Sequence, residues 1–426
     1  MSVGRLIKAE RKKKGIKQIN LARGICSISY LSKIENDNIS PNQEIINLLL
    51  KRLDITRNDS LDSEKSDLLN ELKENYKNLI INREISKFNA EELPEYYFNK
   101  SNDINIEYCI YLMRILLSKE IYDKVAYLLE LINEKKIKEN KLLFIFLVNK
   151  GIFLLNNRKV KEAIDIFDKA LFNCNNTQIE EWERADLYYI YALANISLLN
   201  LHKALDYIKI SQEYFSKESL FKRSIENTIV EANIYKRFGE YQKVEKLFTS
   251  ALKISKLLKD RSYIGIINQN LGDLYFRKGD QNKALSFYLE SLKYRSNKSD
   301  KLITILSLIE VYEKEKNKDK ILYWNNYGIT LLTKSENLTT QEQFYKKCFN
   351  MNEITYNSKI IEKIKEVNSI LDFLEYNSYF NYSYKYASRI ADFLSESRKY
   401  KLANYYYKIS IRNFYNEKNF KGVENI

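Results

Sequence analysis

A recurrence at intervals of about forty residues constrains most of this chain. From about residue 105, small or apolar residues return at Val125, Ala163, Ala204, Val244, Ala284, Ile321, Ile361 and Ala403, in steps of 37 to 42 residues. The clearest unit carries Leu271-Gly272, Tyr275, Ala284 and Tyr288, and its predecessor sets Ala232, Tyr235, Val244, Phe248 and Ala251 in the same slots. Upstream, Ala192, Ala204, Ile208 and Ser211 continue the pattern. Gly151, Leu154, Ala163, Phe167 and Ala170 precede them, after Leu116, Val125 and Leu129. Downstream it runs through Tyr312, Ile321 and Ile361 to Ala391, Ala403 and Tyr407. A small residue paired with an aromatic at a fixed offset has a physical cause. Two helices cross so closely that one contact point admits only Gly or Ala, and a ring fills the space beside it. Lys278-Gly279-Asp280 and Phe238-Gly239-Glu240 read as turns inside two such hairpins. With only 10 Gly and 2 Pro in 426 residues, the rest of the chain is expected to be helix joined by short connections.

This pattern resembles the tetratricopeptide repeat, with somewhat long helices. The predicted fold is all-α, with an amino-terminal helix-turn-helix domain over residues 1–57 and a linker helix with a degenerate first hairpin over 58–104. A TPR-like α-solenoid of about eight units follows over 105–426. Such stacked hairpins form a superhelix whose concave wall is lined mainly by the first helix of each unit. An extended peptide in a groove of that kind offers unpaired backbone amides and carbonyls, which a carboxamide meets with a donor and an acceptor together. The first helices bring Asn149, Tyr189, Asn233, Arg237, Asn270, Asp273, Arg277 and Glu310 to or near that face, the candidate peptide-binding set. Asn233–Arg237 and Asp273–Arg277 stand four residues apart, so each is equally readable as an intrahelical pair on a solvated face, stabilising by about 0.2–0.5 kcal/mol.

The amino terminus has a different character. Within the first 23 residues Arg5, Lys8, Arg11–Lys14, Lys17 and Arg23 face only Glu10, an excess of +7 out of +14 for the whole chain. A charge concentrated in this way suits a polyanion such as the phosphate backbone of DNA. Residues 3–14 read as one helix and Gln18–Ala22 as a short second one, ended by Gly24 in the left-handed position that Gly favours. Ser27 can cap a third helix on which Leu31 and Ile34 face inward, leaving Ile28, Ser29, Ser32 and Lys33 outward. Ser40-Pro41-Asn42-Gln43 suggests a fourth helix opened by a capping box, with Ile45, Ile46, Leu48, Leu49 and Leu53 buried. An apolar stripe through Leu61, Leu68, Leu69, Leu72, Tyr76, Leu79 and Ile80 marks the linker helix, and Pro94 a later helix start or turn.

Lys17-Gln18-x-x-Leu21-Ala22 followed by Ser29-Tyr30-Leu31-Ser32-Lys33-Ile34-Glu35-Asn36 closely resembles the Xre/Cro-type helix-turn-helix. The wording from Gly24 to Glu35 is similar to that of the peptide-responsive quorum-sensing regulators of Gram-positive bacteria, the Rap, Rgg, NprR, PlcR and PrgX group. Lys17 departs from the Thr usual at that cap. The resemblance implies DNA contacts by Gln18 and Asn36 at phosphates and by Ser27, Ile28, Ser29 and Lys33 in the groove, flanked by Lys17 and Arg23. It also implies a short re-imported signalling peptide as ligand, a homodimer on double-stranded DNA, and transcription regulation as the function. An alternative follows from the same group: a Rap-type protein-binding switch acting on a response regulator. A TPR scaffold with little DNA binding is the third reading.

Cys26, Cys109, Cys174 and Cys348 lie far apart with no metal spacing, and His202 has no neighbours suited to a nucleophilic triad. No Gly-rich phosphate loop is present. These features argue against an enzyme, a metal site or a cofactor. The longest apolar run, Leu142–Val148, is too short to span a membrane, and no signal-peptide core opens the chain, so the expected location is the cytoplasm.

Overall fold

A computed structural model describes residues 3–36, 38–39, 41–53, 57–86, 106–174, 179–333 and 338–417. Among these residues all regular structure is helical. Two compact units divide the chain, Met1–Arg223 and Ser224–Ile426. No described helix is long and apolar enough to cross a membrane.

The first unit begins with a four-helix head: α1 (Val3–Lys13), α2 (Gln18–Ala22), α3 (Ile28–Glu35) and α4 (Gln43–Arg52). Ile7, Leu21, Leu31, Leu49 and Leu53 are wholly buried at its centre. Gly24 follows α2 with φ +74°, and the Ser27 hydroxyl accepts the Tyr30 N–H at 3.1 Å, so turn and cap form as the sequence implies. The fourth helix starts later than expected. Its cap is Asn42, whose side-chain oxygen accepts the Glu44 N–H, with Pro41 ahead of the helix rather than inside it. That offset also corrects the buried face: Ile46, Leu49, Leu50 and Leu53 turn inward, while Leu48 is exposed. Ser40 lies outside the described residues.

One ion pair ties the head together. Arg11 donates from Nε to Glu35 Oε1 at 2.6 Å and from Nη2 to Oε2 at 2.8 Å, and its Nη1 meets the Ile16 carbonyl. Glu35 is 1 % exposed and also accepts the Gln18 amide at 2.7 Å. Burial alone would raise the Glu35 carboxyl, but the hydrogen bonds from Arg11 and Gln18 outweigh it and hold the group below the usual range.

The linker helix α5 (Arg57–Ile81) buries Leu72, Tyr76, Leu79 and Ile80. The rest of the expected degenerate hairpin, with Pro94, lies outside the described residues, as does the side chain of Leu61. Three hairpins complete the first unit: α6 (Ile106–Ser118) with α7 (Tyr122–Leu131), α8 (Asn140–Asn156) with α9 (Val160–Cys174), and α10 (Glu181–Ser197) with α11 (Leu201–Lys217). Helix α12 (Phe221–Phe238) spans the division and pairs with α13 (Tyr241–Leu257). The second unit continues with α14 (Arg261–Lys278) and α15 (Gln281–Tyr294), α16 (Lys298–Lys314) and α17 (Lys318–Leu332), α18 (Thr340–Tyr356) and α19 (Ile364–Tyr376), and α20 (Phe380–Glu396) and α21 (Tyr400–Glu417).

The close crossing read from the repeat is present. A Cβ added at Gly272 on α14 would stand 2.5 Å from the Tyr288 ring on α15, and one at Gly151 on α8 would stand 2.2 Å from the Phe167 ring on α9. Val125, Ala163, Ala204, Val244 and Ala284 are wholly buried, with Ile321 and Ala403 nearly so. Seven residues after most of these anchors a small residue is again buried, Ala170 and Gly328 among them. Ser211, Ser291 and Ser410 each donate to a first-helix carbonyl, those of Ala185, Gly265 and Tyr384, at 2.8–2.9 Å, and Ala251 is buried at the same slot. Two anchors differ. Ile361 is exposed and Ile360 takes its place in the core, because α19 begins only at Ile364 and a turn occupies the slot. In the last unit Tyr406 is buried and Tyr407 reaches outward to Asp392.

Inside every hairpin the turn holds one residue in the left-handed region: Glu120, Arg158, Leu199, Gly239, Gly279, Lys316, Ser358 and Arg398. At Gly279 (φ +83°) the N–H bonds to the Phe276 carbonyl and the following Asp280 N–H to Tyr275, which satisfies the last carbonyls of α14.

Two outcomes test this packing. Arg11→Met leaves the buried Glu35 carboxylate uncompensated and is expected to cost the head about 3–5 kcal/mol in denaturant unfolding. Because the Glu35 pKa is depressed on folding, its contribution is present above the unfolded carboxylate value and lost as pH falls through the folded one. The wild-type head should therefore weaken on acidification more steeply than an Arg11→Met, Glu35→Leu double variant. Gly272→Ala is expected to lower stability by about 1–3 kcal/mol through overpacking, and trimming Tyr288 to Leu in the same chain should recover part of that loss.

Candidate nucleic-acid interface and repeat wall

The head presents one helix in a way that differs from the other three. Leu31 and Ile34 fasten α3 to the core, and the opposite face leaves Ser27, Ile28, Ser29 and Lys33 exposed. Ile28 is 45 % exposed and adds an apolar group to that face. Hydroxyls, one cation and one apolar group on a rigid outward face match the donors, acceptors and thymine methyl of a major groove.

The surrounding cations are not equally available. Arg11 is committed to Glu35, Lys8 donates to Asn36 Oδ1 at 2.6 Å, and Lys14 donates to the Leu53 carbonyl. Lys12, Lys13, Lys17, Arg23 and Lys33 are exposed. Two expected phosphate contacts are therefore engaged inside the head. The Gln18 amide group is turned to Glu35, which needs a donor to offset its burial, and Asn36 accepts from Lys8 while donating to the Ser32 carbonyl at 2.9 Å. Lys17 caps α2 without any side-chain hydrogen bond, in keeping with its departure from the usual Thr.

First helices of neighbouring hairpins, and of hairpins one unit further apart, are joined side chain to side chain. In the second unit Tyr263 on α14 reaches Glu226 on α12, Lys236 reaches Asp273 at 2.7 Å, and Gln269 reaches Ser307 on α16 at 2.8 Å. Farther along, Lys385 and Arg389 on α20 reach Glu310 and Glu313 on α16, at 2.9 and 2.7 Å. Burial pushes the Glu313 carboxyl up, against the pull of Arg389. In the first unit Asp186 on α10 is held by Arg114 on α6 and by Arg223 at the start of α12. Tyr76 of the linker helix donates to Glu183 at 3.2 Å, and burial raises the Glu183 carboxyl despite Lys141, the Glu180 N–H and Tyr76.

The peptide candidates fall on the first helices of the two units unevenly. Asn149 is a correction: it is 1 % exposed and its Nδ2 donates to the Ile110 carbonyl, so it bridges α8 to α6 from within the core. Asn270 is half-buried and donates to the Ile266 carbonyl of its own helix. Asp273 and Arg277 do pair, at 3.1 Å, and the α12 residue that joins them is Lys236 rather than Arg237, which is exposed beside a half-buried Asn233. Glu310 is held by Lys385. Tyr189 lies beneath two guanidinium groups, that of Arg223 at 4.6 Å from the ring centre and that of Arg83 at 5.7 Å. Sequence reading missed Asp186, Arg223 and Glu183. Only Asp186 carries a signal, a charge flanked by apolar residues in Ala185-Asp186-Leu187; Glu183 and Arg223 each have another charged residue beside them.

A helix-turn-helix family model matches residues 7–59 and a tetratricopeptide-repeat model matches residues 267–298. The chain is 29 % identical to the transcriptional activator NprA of Geobacillus stearothermophilus over 399 residues, 92 % of this chain and 98 % of that protein. It is 22 % identical to response regulator aspartate phosphatase H of Bacillus subtilis over 255 residues, 59 % of this chain and 66 % of the other. Among solved structures, NprR in complex with its cognate peptide NprX shares the fold at a TM-score of 0.54 and 22 % identity, covering 82 % of this chain and 99 % of that one. Head, repeats and relatives agree: the chain joins a helix-turn-helix head to tetratricopeptide repeats and is similar to regulators of the NprA and NprR kind.

Proposed function

We propose that this chain is a cytoplasmic transcription regulator whose head, residues 1–57, binds operator DNA. A short signalling peptide held by the first helices of the repeat domain, residues 105–426, controls it. The observation that carries the reading is the outward face of α3, where Ile28, Ser29 and Lys33 stand exposed on a helix whose other side is sealed into the core. Ser27, Lys17 and Arg23 flank that face, and Gln18 and Asn36 act on it indirectly, by holding Glu35 and Lys8. Similarity to a transcriptional activator over nearly its whole length supports the reading. A solved relative of like fold that holds its cognate peptide supports the second half of it. On the first helices, Tyr189, Asn233, Arg237, Asn270, Asp273, Arg277 and Glu310 are the peptide candidates, whereas Asn149 is bonded to the Ile110 carbonyl within the core.

A homodimer fits this function. Heads of this type read half-sites about 34–36 Å apart, one turn of the duplex. A ligand shifts the spacing between two heads only through its difference in affinity for the two arrangements. The reading needs no cofactor, metal or catalytic group. Similarity to a response regulator aspartate phosphatase over 59 % of the chain supports a second reading, a protein-binding switch acting on a response regulator.

Lys33→Ala removes a cation as well as a groove contact, so it is expected to weaken operator binding and to reduce the slope of log affinity against log salt by about 0.9. Ser29→Ala should instead cost about 1–3 kcal/mol of discrimination at one base pair and leave the salt slope unchanged. Footprinting and titration over a range of salt concentrations separate the two, and peptide affinity should be unaltered in both variants. Equal loss of DNA and peptide binding would contradict separate sites. Faster phosphate loss from a phosphorylated response regulator on adding the protein, without any preferred operator, would favour the second reading.

A further inference from the structure

The few residues after the linker helix lie on the wall of first helices. Helix α5 ends at Ile81, and Arg83 takes a left-handed turn at φ +57°. From there the Arg83 guanidinium sits 5.7 Å from the Tyr189 ring centre on α10, and Glu84 Oε1 accepts from Lys222 Nζ at 2.7 Å at the start of α12. Ile85 packs against the core of the first unit. Ser86 closes the turn, its N–H and hydroxyl both donating to Oδ1 of the buried Asn75 on α5, at 2.8 and 2.7 Å. Residues 82–86 thus form a short strap across α10 and α12, anchored at one end to α5.

We propose that this strap is an internal occupant of the wall, covering Tyr189 and Lys222 until a ligand takes them, so that the wall and the helix following the head compete for the same contacts. The inference rests on the peptide-controlled reading above and adds the place where control enters. The two contacts that the strap makes with α10 and α12 are weak by their nature, whereas Ile85 and Ser86 hold its far end to the core and to α5. Glu84 and Lys222 form a partly exposed pair, and the Arg83 guanidinium stands 5.7 Å from the centre of the half-buried Tyr189 ring, so neither contact holds the strap strongly. Weak anchoring is what an exchangeable occupant needs. The strap runs directly out of α5, which is itself fastened to α10 by the Tyr76–Glu183 hydrogen bond. Lifting the strap therefore loosens the end of the helix that follows the head in the chain.

The test uses the full-length protein and a blocked pentapeptide of residues 82–86, Asn-Arg-Glu-Ile-Ser. In an Arg83→Gln, Glu84→Gln variant, amide hydrogen exchange at residues 82–86 and at the last turn of α5 is expected to rise about fivefold to tenfold. The pentapeptide, at about the millimolar concentration equivalent to a tether, should then slow exchange on α10 around Tyr189 in the variant and not in the wild type. Lys222→Gln loosens the strap from the other side and carries the test if the double variant loses helix content. Unchanged exchange in Lys222→Gln, or equal protection of variant and wild type by the pentapeptide, overturns the proposal. Neither readout involves DNA or the signalling peptide, so a failed strap leaves the proposed function standing, and a failed operator leaves the strap standing.

Discussion

Much of this structure depends on a missing atom. Where the two helices of a hairpin cross, Gly151 and Gly272 allow Phe167 and Tyr288 to lie flat against bare backbone, at distances no Cβ would permit. That contact sets the separation of the pair. In the α14–α15 hairpin Ser291 turns the approach into a hydrogen bond to the first helix's backbone, and Ser211 and Ser410 make the same bond where buried Ala192 and Ala391 take the glycine's slot. The hydroxyl is satisfied inside an apolar seam, where an unpaired one would be destabilising. Close packing and polar satisfaction are thus met by one short side chain.

The head solves a different problem. A domain of about fifty residues buries little apolar surface, and four short helices add few contacts each. Here a bidentate ion pair supplies the definition that a larger core would give. Arg11 on α1 and Gln18 on α2 converge on Glu35 at the end of α3, so three helices are fixed relative to one carboxylate. Holding α3 in this way matters because its outward residues can act only if the helix does not turn about its own axis.

The sequence disclosed periodic features more readily than paired ones. The repeat anchors, the α3 cap at Ser27 and the left-handed turns at Gly239 and Gly279 follow from local spacing, which a single chain displays. The start of α4 at Asn42 instead of Ser40 was less legible, because two capping residues stood two positions apart and only packing chose between them. Long-range polar partners were not legible at all. Asn149 looked like a ligand-binding carboxamide, yet its partner is a carbonyl thirty-nine residues earlier, and Gln18 looked free for phosphate until Glu35 was found beside it. An Asn on an inner helix reads the same whether it serves a guest or its own neighbour.

The left-handed residue shared by all eight hairpin turns bears on how the chain comes to be folded. Such a reversal needs only the residues immediately around it, and the two helices it joins are sequence neighbours, so each hairpin closes through contacts of low sequence separation. Arrays of this kind can nucleate at one place and propagate outward. A nascent chain leaving the ribosome would complete its head first and then add one finished hairpin after another, each new pair docking on a surface already formed.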